Sequence, residues 1–257
     1  MSPEEIQEAF AQTLAGNFDD ELPWEAVSAL RRIGSREIFE QAAAWCDSDI
    51  PIKRARGADI LAQLGRTVEH PKNSFVEESF SVVSSLARRE KDPLVLSSAL
   101  HALGGIGDRS AVPLLVEHWH HDVDDVRFAV ATALGGFADN PLATNVLLAL
   151  MQDQNADIRD WATFGLGVLG SLDSDQIRIG LAERLADTNC DVREEALVGL
   201  AKRKDRQAVL PLLTELERPE VSCRIIEAAQ EFLGEDQTGV VQSPDVYISE
   251  LRKRFPI

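Results

Sequence analysis

The chain has 257 residues, 44% hydrophobic but only 6% aromatic, and a formal net charge of −17. An interior of Ala, Leu, Val and Ile points to an all-α protein, too long for one closed core yet without a Pro/Gly/Ser-rich linker, so a single elongated domain over 1–257 is expected. So acidic a surface repels phosphate backbones, and no apolar run is long enough to span a bilayer, which argues against nucleic acid and membranes as partners.

The charge is uneven, at −8 for residues 1–50, −8 for 51–199 and −1 for 200–257. It either steers a basic protein partner or simply keeps the chain soluble. Three cysteines with no CxxC spacing, together with an acidic start, MSPEEIQEAF, that lacks signal-peptide character, lead to the expectation of a reduced, cytoplasmic protein.

In chain order, residues 3–14 predict a first helix, and residues 1–21 are read as an N-terminal cap. Self-similarity then dominates. The segments VRFAVATALGG from Val126, IRDWATFGLGV from Ile158 and VREEALVGLAK from Val192 align without gaps. With the first residue as slot 0, the same frame fits starts at Leu22, Lys53, Val95 and Ser222. Seven copies result over 22–234, spaced by 31, 42, 31, 32, 34 and 30 residues.

Slots 0, 4, 7, 8 and 11 are apolar or small, the stripe of an amphipathic helix, called helix A here. Slot 9 is Ala62, Gly104, Gly135, Gly167 and Ala201 in five copies, where a neighbouring backbone can come close. Slot 12 is glycine in copies such as Ile33-Gly34 and Ile106-Gly107. A second apolar stretch, helix B, follows each turn, as in AVPLLVEHW from Ala111 and LATNVLLALM from Leu142. Acids recur five residues before slot 0 (Glu90, Asp153, Asp187, Glu217) and immediately before it (Glu21, Asp125, Asp157, Asp191), and both positions suit helix N-caps. The 42-residue spacing places a loop at Arg66–Phe75. A second loop, EDQTGVVQSP, precedes a last helix over 245–255, so that 235–257 is read as linker and C-terminal capping helix.

The D-x-D-x-V-R-x-x-A-x-x-A-L-G pattern, at about thirty residues per copy, resembles HEAT-like repeats of the phycobilin-lyase type over residues 22–234. The resemblance implies an α-solenoid of about seven helical hairpins with terminal capping helices. It also implies that Arg54, Arg127, Arg159 and Arg193, with Asp125, Asp157 and Asp191, form a structural ladder between repeats. The His-Glu pairs that di-iron hydroxylases of this class use as ligands do not occur in the sequence.

Few residues invite chemistry beyond the repeat. Gly165-Leu166-Gly167-Val168-Leu169-Gly170 matches the dinucleotide fingerprint, but its glycines fall in repeat slots with no strand before them. Glu117-His118-Trp119-His120-His121-Asp122 is the densest set of metal-ligand types. Placed on a helix, His118 and His121 could share an ion, yet His121 also occupies the capping slot of Asp153 and Asp187, and no metal is assigned. Cys46, Cys190 and Cys223 are read as buried, inert thiols.

Trp161, Phe164 and Val168, in slots 3, 6 and 10 of one copy, share a face distinct from the core stripe. Either burial against a neighbour or anchoring of a partner accounts for them. No cofactor and no catalytic residue are assigned, so catalysis is not expected, and the oligomeric state is left open. The expected function is a non-catalytic scaffold or adaptor that presents a curved acidic face, lined mainly by helix B, to a protein partner, with Trp161, Phe164, Val168 and His118 as contact residues. The resemblance keeps open a phycobilin-lyase-like subunit handling an open-chain tetrapyrrole, and the acidity an immunity or antitoxin protein masking a basic toxin.

Overall fold

The computed structural model describes residues 2–234 and 243–256. Most of the EDQTGVVQSP segment, residues 235–242, lies outside the described residues. The helices are α1 (Pro3–Gln12), α2 (Glu21–Ile33), α3 (Arg36–Cys46), α4 (Pro51–Ala62), α5 (Val76–Arg89), α6 (Pro93–Ile106), α7 (Val112–Val116) and α8 (Asp124–Gly135). They continue as α9 (Pro141–Leu150), α10 (Ala156–Phe164), α11 (Asp175–Arg184), α12 (Cys190–Lys202), α13 (Val209–Leu216), α14 (Cys223–Leu233) and α15 (Pro244–Arg254). No strand occurs among the described residues, and none of their helices is long and apolar enough to cross a membrane.

Two compact units divide the chain, Met1–Gly136 and Phe137–Ile257. In the first, α2, α4, α6 and α8 are the helix A elements and pack consecutively, with α3 and α5 beside them. In the second, α10, α12 and α14 do the same, with α11, α13 and α15 alongside. The predicted stripe faces inward: Val126, Val130, Leu134, Ile158, Ala162, Val192, Ala196 and Leu200 are fully buried. Each buried Leu or Val side chain contributes about 1.5–3 kcal/mol.

Small residues set the distance between A helices. A Cβ on Gly104 would meet Ala133 Cα at 2.7 Å, and one on Gly199 would meet Gly167 Cα at 2.7 Å. Slot 9 of one copy therefore faces slot 7 of the next. In most copies slot 12 is a left-handed turn, with φ of +58° at Gly34, +76° at Gly65, +79° at Gly107 and +71° at Gly234, whereas Gly170 is extended. Lys204 occupies the same slot at +53° without being glycine.

The helix starts differ from expectation. The N-caps of α10 and α12 are Asn155 and Asn189, whose side chains accept from the amides of Asp157 and Asp191. Asp125, Asp157 and Asp191 stand in the first helical turn instead, where they meet the positive end of the dipole. The acids five residues before slot 0 lie upstream of the cap and fold the turn: Asp153 accepts from Asn155 N, Asp187 from Asn189 N and Glu90 from Asp92 N. His121 fills that slot with its Nδ1, 3.1 Å from Val123 N.

α10 ends in a π-helical turn, Gly165–Leu169, closed by Gly170 N donating to Gly165 O at 2.8 Å. Such turns leave carbonyls without their usual partners. Arg203 supplies them: its guanidinium, 9% exposed, donates five hydrogen bonds to the carbonyls of Leu166, Gly167, Leu172 and Gly199. At the end of the second unit, Tyr247 and Leu251 of α15 are fully buried, with Gln230 donating to the Tyr247 hydroxyl. At the start of the first unit, α1 is held by a Ser2–Glu5 capping box and buries Ile6, Ala9 and Phe10. The Arg66–Phe75 loop is anchored by Asn73, which is buried, donates to Leu61 O and accepts from Phe75 N.

Candidate functional site

In the first unit, slots 3, 6 and 10 of successive A helices open into a hollow of about 680 Å3. Asp59 and Gln63 of α4, Ser98, His101 and Gly105 of α6, and Thr132 of α8 line it, with Trp24 and Phe128 at its sides. A second hollow of about 930 Å3 shares Trp24, Arg31, Gln63 and Arg66 and adds Glu21 and Glu25. Both hollows are lined by helix A residues, the second with α1 beside them.

The wall of the hollow contains a buried charge cluster that the repeat frame did not reveal. Arg56, in slot 3 of α4, is fully buried, with its guanidinium 3.9 Å from the Phe18 ring centroid and 4.8 Å from that of Trp24. It donates to the carbonyls of Thr13 and Phe18 and to Asp59 Oδ2 at 3.2 Å. Arg31 donates twice to Asp59 O. Burial pushes the Asp59 carboxyl up to about 6, against the pull of Arg56 and Arg31. The loop between α1 and α2 is thereby tied to α4.

His101 is exposed on the floor of the hollow, its Nδ1 3.0 Å from Thr132 Oγ1. That hydroxyl also stands 3.0 Å from Ala129 O and 3.1 Å from Phe128 O, the ordinary back-bond of a helical threonine. Which of the two donates depends on the imidazole tautomer. The pair fixes the ring.

In the second unit, Trp161 is 39% exposed and its ring meets Phe164 edge-on at 5.6 Å. Val168 is half-buried in the π turn, and its carbonyl accepts from Lys202 Nζ at 2.6 Å. Arg224 of α14 lies 5.3 Å over Phe164 and bridges Glu195, at 2.7 Å, and Glu227, at 2.8 Å. Burial raises Glu195 to about 7 despite Arg224. Burial, followed by the charges of Asp191 and Asp157, raises Asp160 to about 6. Asp160 Oδ1 and Glu195 Oε2 are buried and have no hydrogen-bond donor. Sequence reasoning singled out the aromatics but not these carboxylates. Glu195 sits in slot 3 beside a core stripe, where an acid is out of place, and that was the available signal.

The arginine row behaves alike in four copies. Arg54 donates to Ser48 O, Arg127 to His121 O, Arg159 to Asp153 O and Arg193 to Asp187 O, each six residues back. Arg54 and Arg159 also reach the next copy, Arg54 pairing with Glu90 at 2.7 Å and Arg159 with Asp187 at 2.8 Å. Asp125, Asp157 and Asp191 are exposed and are not the acids of these pairs. Arg127 pairs locally with Asp124 at 2.8 Å.

His118 is half-buried, which lowers its pKa, and it stands in the turn after α7 rather than on a helix. Among the described residues no three His, Cys, Asp or Glu side chains gather where a metal ion could be held. The GLGVLG string forms the π turn, with a helix rather than a strand before it. Of the thiols, only Cys46 is buried, and its pKa is pushed up to about 12. Cys190 and Cys223 are exposed, because each is the first residue of its helix, just after the cap.

Residues 80–167 match the family model described as HEAT repeats. The protein YibA of Escherichia coli strain K12 is 29% identical over 223 residues, covering 83% of this chain and 77% of its own length. The X-ray structure of the E. coli YibA protein superimposes with a TM-score of 0.71 at 25% identity, over 96% of this chain and 92% of that one. The complex of CpcE and CpcF of phycocyanin lyase from Nostoc sp. PCC7120 shares the fold, with a TM-score of 0.50 at 16% identity over 97% and 94% of the two chains.

Proposed function

We propose that this chain, which resembles HEAT-repeat proteins, is a non-catalytic protein-interaction module for a basic partner, acting in a reduced, cytoplasmic setting. Stacked helical hairpins present extended surfaces without further elaboration. The observation that carries the reading is the helix A row. Its slots 3, 6 and 10 are accessible in the first unit as a hollow, and in the second as Trp161 and Phe164, on a chain whose net charge is −17. Half-exposed aromatics beside fixed polar groups are typical anchors for a partner.

Val168 is a further contact residue of the second unit in this reading, and half-buried His118 one of the first. The four arginines of slot 1 hold turns and neighbouring copies together. A fluorescently labelled peptide of alternating basic and small residues, titrated at ~20 mM and ~200 mM salt, tests the proposal, because screening lengths differ severalfold between the two. Binding that weakens with salt and is not shared by an acidic peptide of the same length is expected. Equal binding of both peptides, or none, would overturn it.

A further inference from the structure

We infer that the second unit carries a docking site for a guanidinium group, the side chain of an arginine in a basic partner segment, formed by Trp161 and Phe164 with the carboxylates of Asp160 and Glu195. The inference rests on the reading above of a basic partner and specifies where and how one of its charges is taken.

Three independent features converge there. The first is an imbalance of charge. Among the described residues, the charges that act on Asp160 and Glu195 are, besides each other, those of Asp157 of α10, Asp191 of α12 and Glu227 of α14 and, with the opposite sign, Arg224, whose two amino groups are already spent on Glu195 and Glu227. Arg159 on the same helix is paired away from the cluster, with Asp187.

The second is a deficit of donors. Glu195 is 8% exposed, and its Oε2 has no donor. Asp160 Oδ1 is likewise buried and without one. A buried carboxylate oxygen left unmatched is costly, and what repairs it is a group with several N–H bonds and a positive charge. A guanidinium presents five N–H donors in a plane, and an ammonium only three around a point.

The third is the platform. Trp161 and Phe164 stand edge to face, and Arg224 already rests its guanidinium over Phe164, so the site demonstrates with its own arginine the stacking it offers to another. The π turn directly after Phe164, clamped by Arg203, fixes the end of the helix that carries both rings.

The raised pKa values of Asp160, about 6, and Glu195, about 7, add a signature. A cation binds the ionised forms, so affinity rises as pH climbs through this range and protons are released on binding.

The test uses the full chain and two peptides, one alternating arginine and serine, the other with citrulline in place of arginine. Citrulline keeps the planar shape but not the charge, and it has a carbonyl oxygen where arginine has two of its five N–H donors. The arginine peptide is expected to bind at least ~10-fold tighter, with Asp160→Asn and Glu195→Gln each weakening it about 10-fold, in line with loss of a charge-assisted hydrogen bond. Trp161→Ala weakens it severalfold, while Trp161→Phe, which keeps a ring, restores most of the loss. Affinity should rise about 10-fold from pH 5.5 to 7.5, and this slope should vanish in the Asp160→Asn/Glu195→Gln double variant.

If the arginine peptide binds but these variants leave it unchanged, while Asp59→Asn or Asp125→Asn in the first unit weakens it, this site falls and the basic-partner reading stands. If arginine and citrulline peptides bind alike, both fall. Asp160→Asn removes a carboxylate whose Oδ1 has no donor, and its urea midpoint should equal or exceed that of the unaltered chain. Glu195→Gln keeps the size of the side chain but weakens its pair with Arg224, so its binding is compared at urea concentrations well below its own midpoint, and a loss of binding by folded Asp160→Asn is not a loss of fold.

Discussion

Replacing Arg56 with methionine keeps the length and apolar stem of the side chain and removes its charge and donors. The native guanidinium is fully buried, donates to Thr13 O, Phe18 O and Asp59 Oδ2, and stacks on Phe18 and Trp24. Two carbonyls and a carboxylate lose their partner at once. Removing one member of a buried ion pair costs about 3–5 kcal/mol, because the other is left uncompensated. Set against a total of roughly 5–15 kcal/mol for a folded domain, this brings the first unit close to unfolding.

The pH dependence gives the sharper check. Asp59 is raised to about 6 in the folded chain, above its unfolded value of 3.8, so the folded state holds this proton more tightly. Its contribution to stability is therefore present below pH ~4 and lost as pH rises through about 6. At pH 5 the carboxyl is largely neutral in both proteins, no charge is orphaned by the substitution, and the penalty shrinks. Urea titrations followed by tryptophan fluorescence at pH 7 and pH 5 measure both quantities. A loss under about 1 kcal/mol at pH 7, or an equal loss at the two pH values, would refute the account of this cluster.

Two other outcomes are expected. Gly199→Ala places a Cβ 2.7 Å from Gly167 Cα, backbone against backbone, and should lower the urea midpoint by about 1–3 kcal/mol in stability. Gly107→Ala meets open space and bears only the left-handed strain of φ +79°, about 1 kcal/mol, so a milder Gly199 variant would contradict the packing argument. With a thiol reagent at pH 8, Cys190 and Cys223 should react at once and Cys46 only after denaturant is added, since burial holds its pKa near 12. Three fast thiols, or one, would be inconsistent with this placement.

Much of the fold was legible because it repeats. Slots 0, 4 and 8 marked the buried stripe, slot 12 marked the left-handed turn of most copies, and slot 9 marked the close approach of neighbouring helices. The site was less legible, for a physical reason. Periodicity reports what every copy needs, whereas Arg56–Asp59, Asp160–Glu195 and Arg203 each occur in one copy and meet partners brought near only by folding. The hollow of the first unit draws its lining from α4, α6 and α8 together, a convergence of separate copies that becomes visible only once the helices are stacked.

Arg203 also bears on how such an array can change. Periodic contacts survive when a copy is duplicated, deleted or exchanged, because the incoming copy supplies the same slots. Arg203 does not belong to that scheme: it fastens the carbonyls of Leu166, Gly167 and Leu172 to Gly199, a match between two particular neighbours. A copy inserted between them would separate the guanidinium from three of its four acceptors. The order of these two copies is therefore fixed by a single residue, and at this place the array reads as a phrase rather than as interchangeable words.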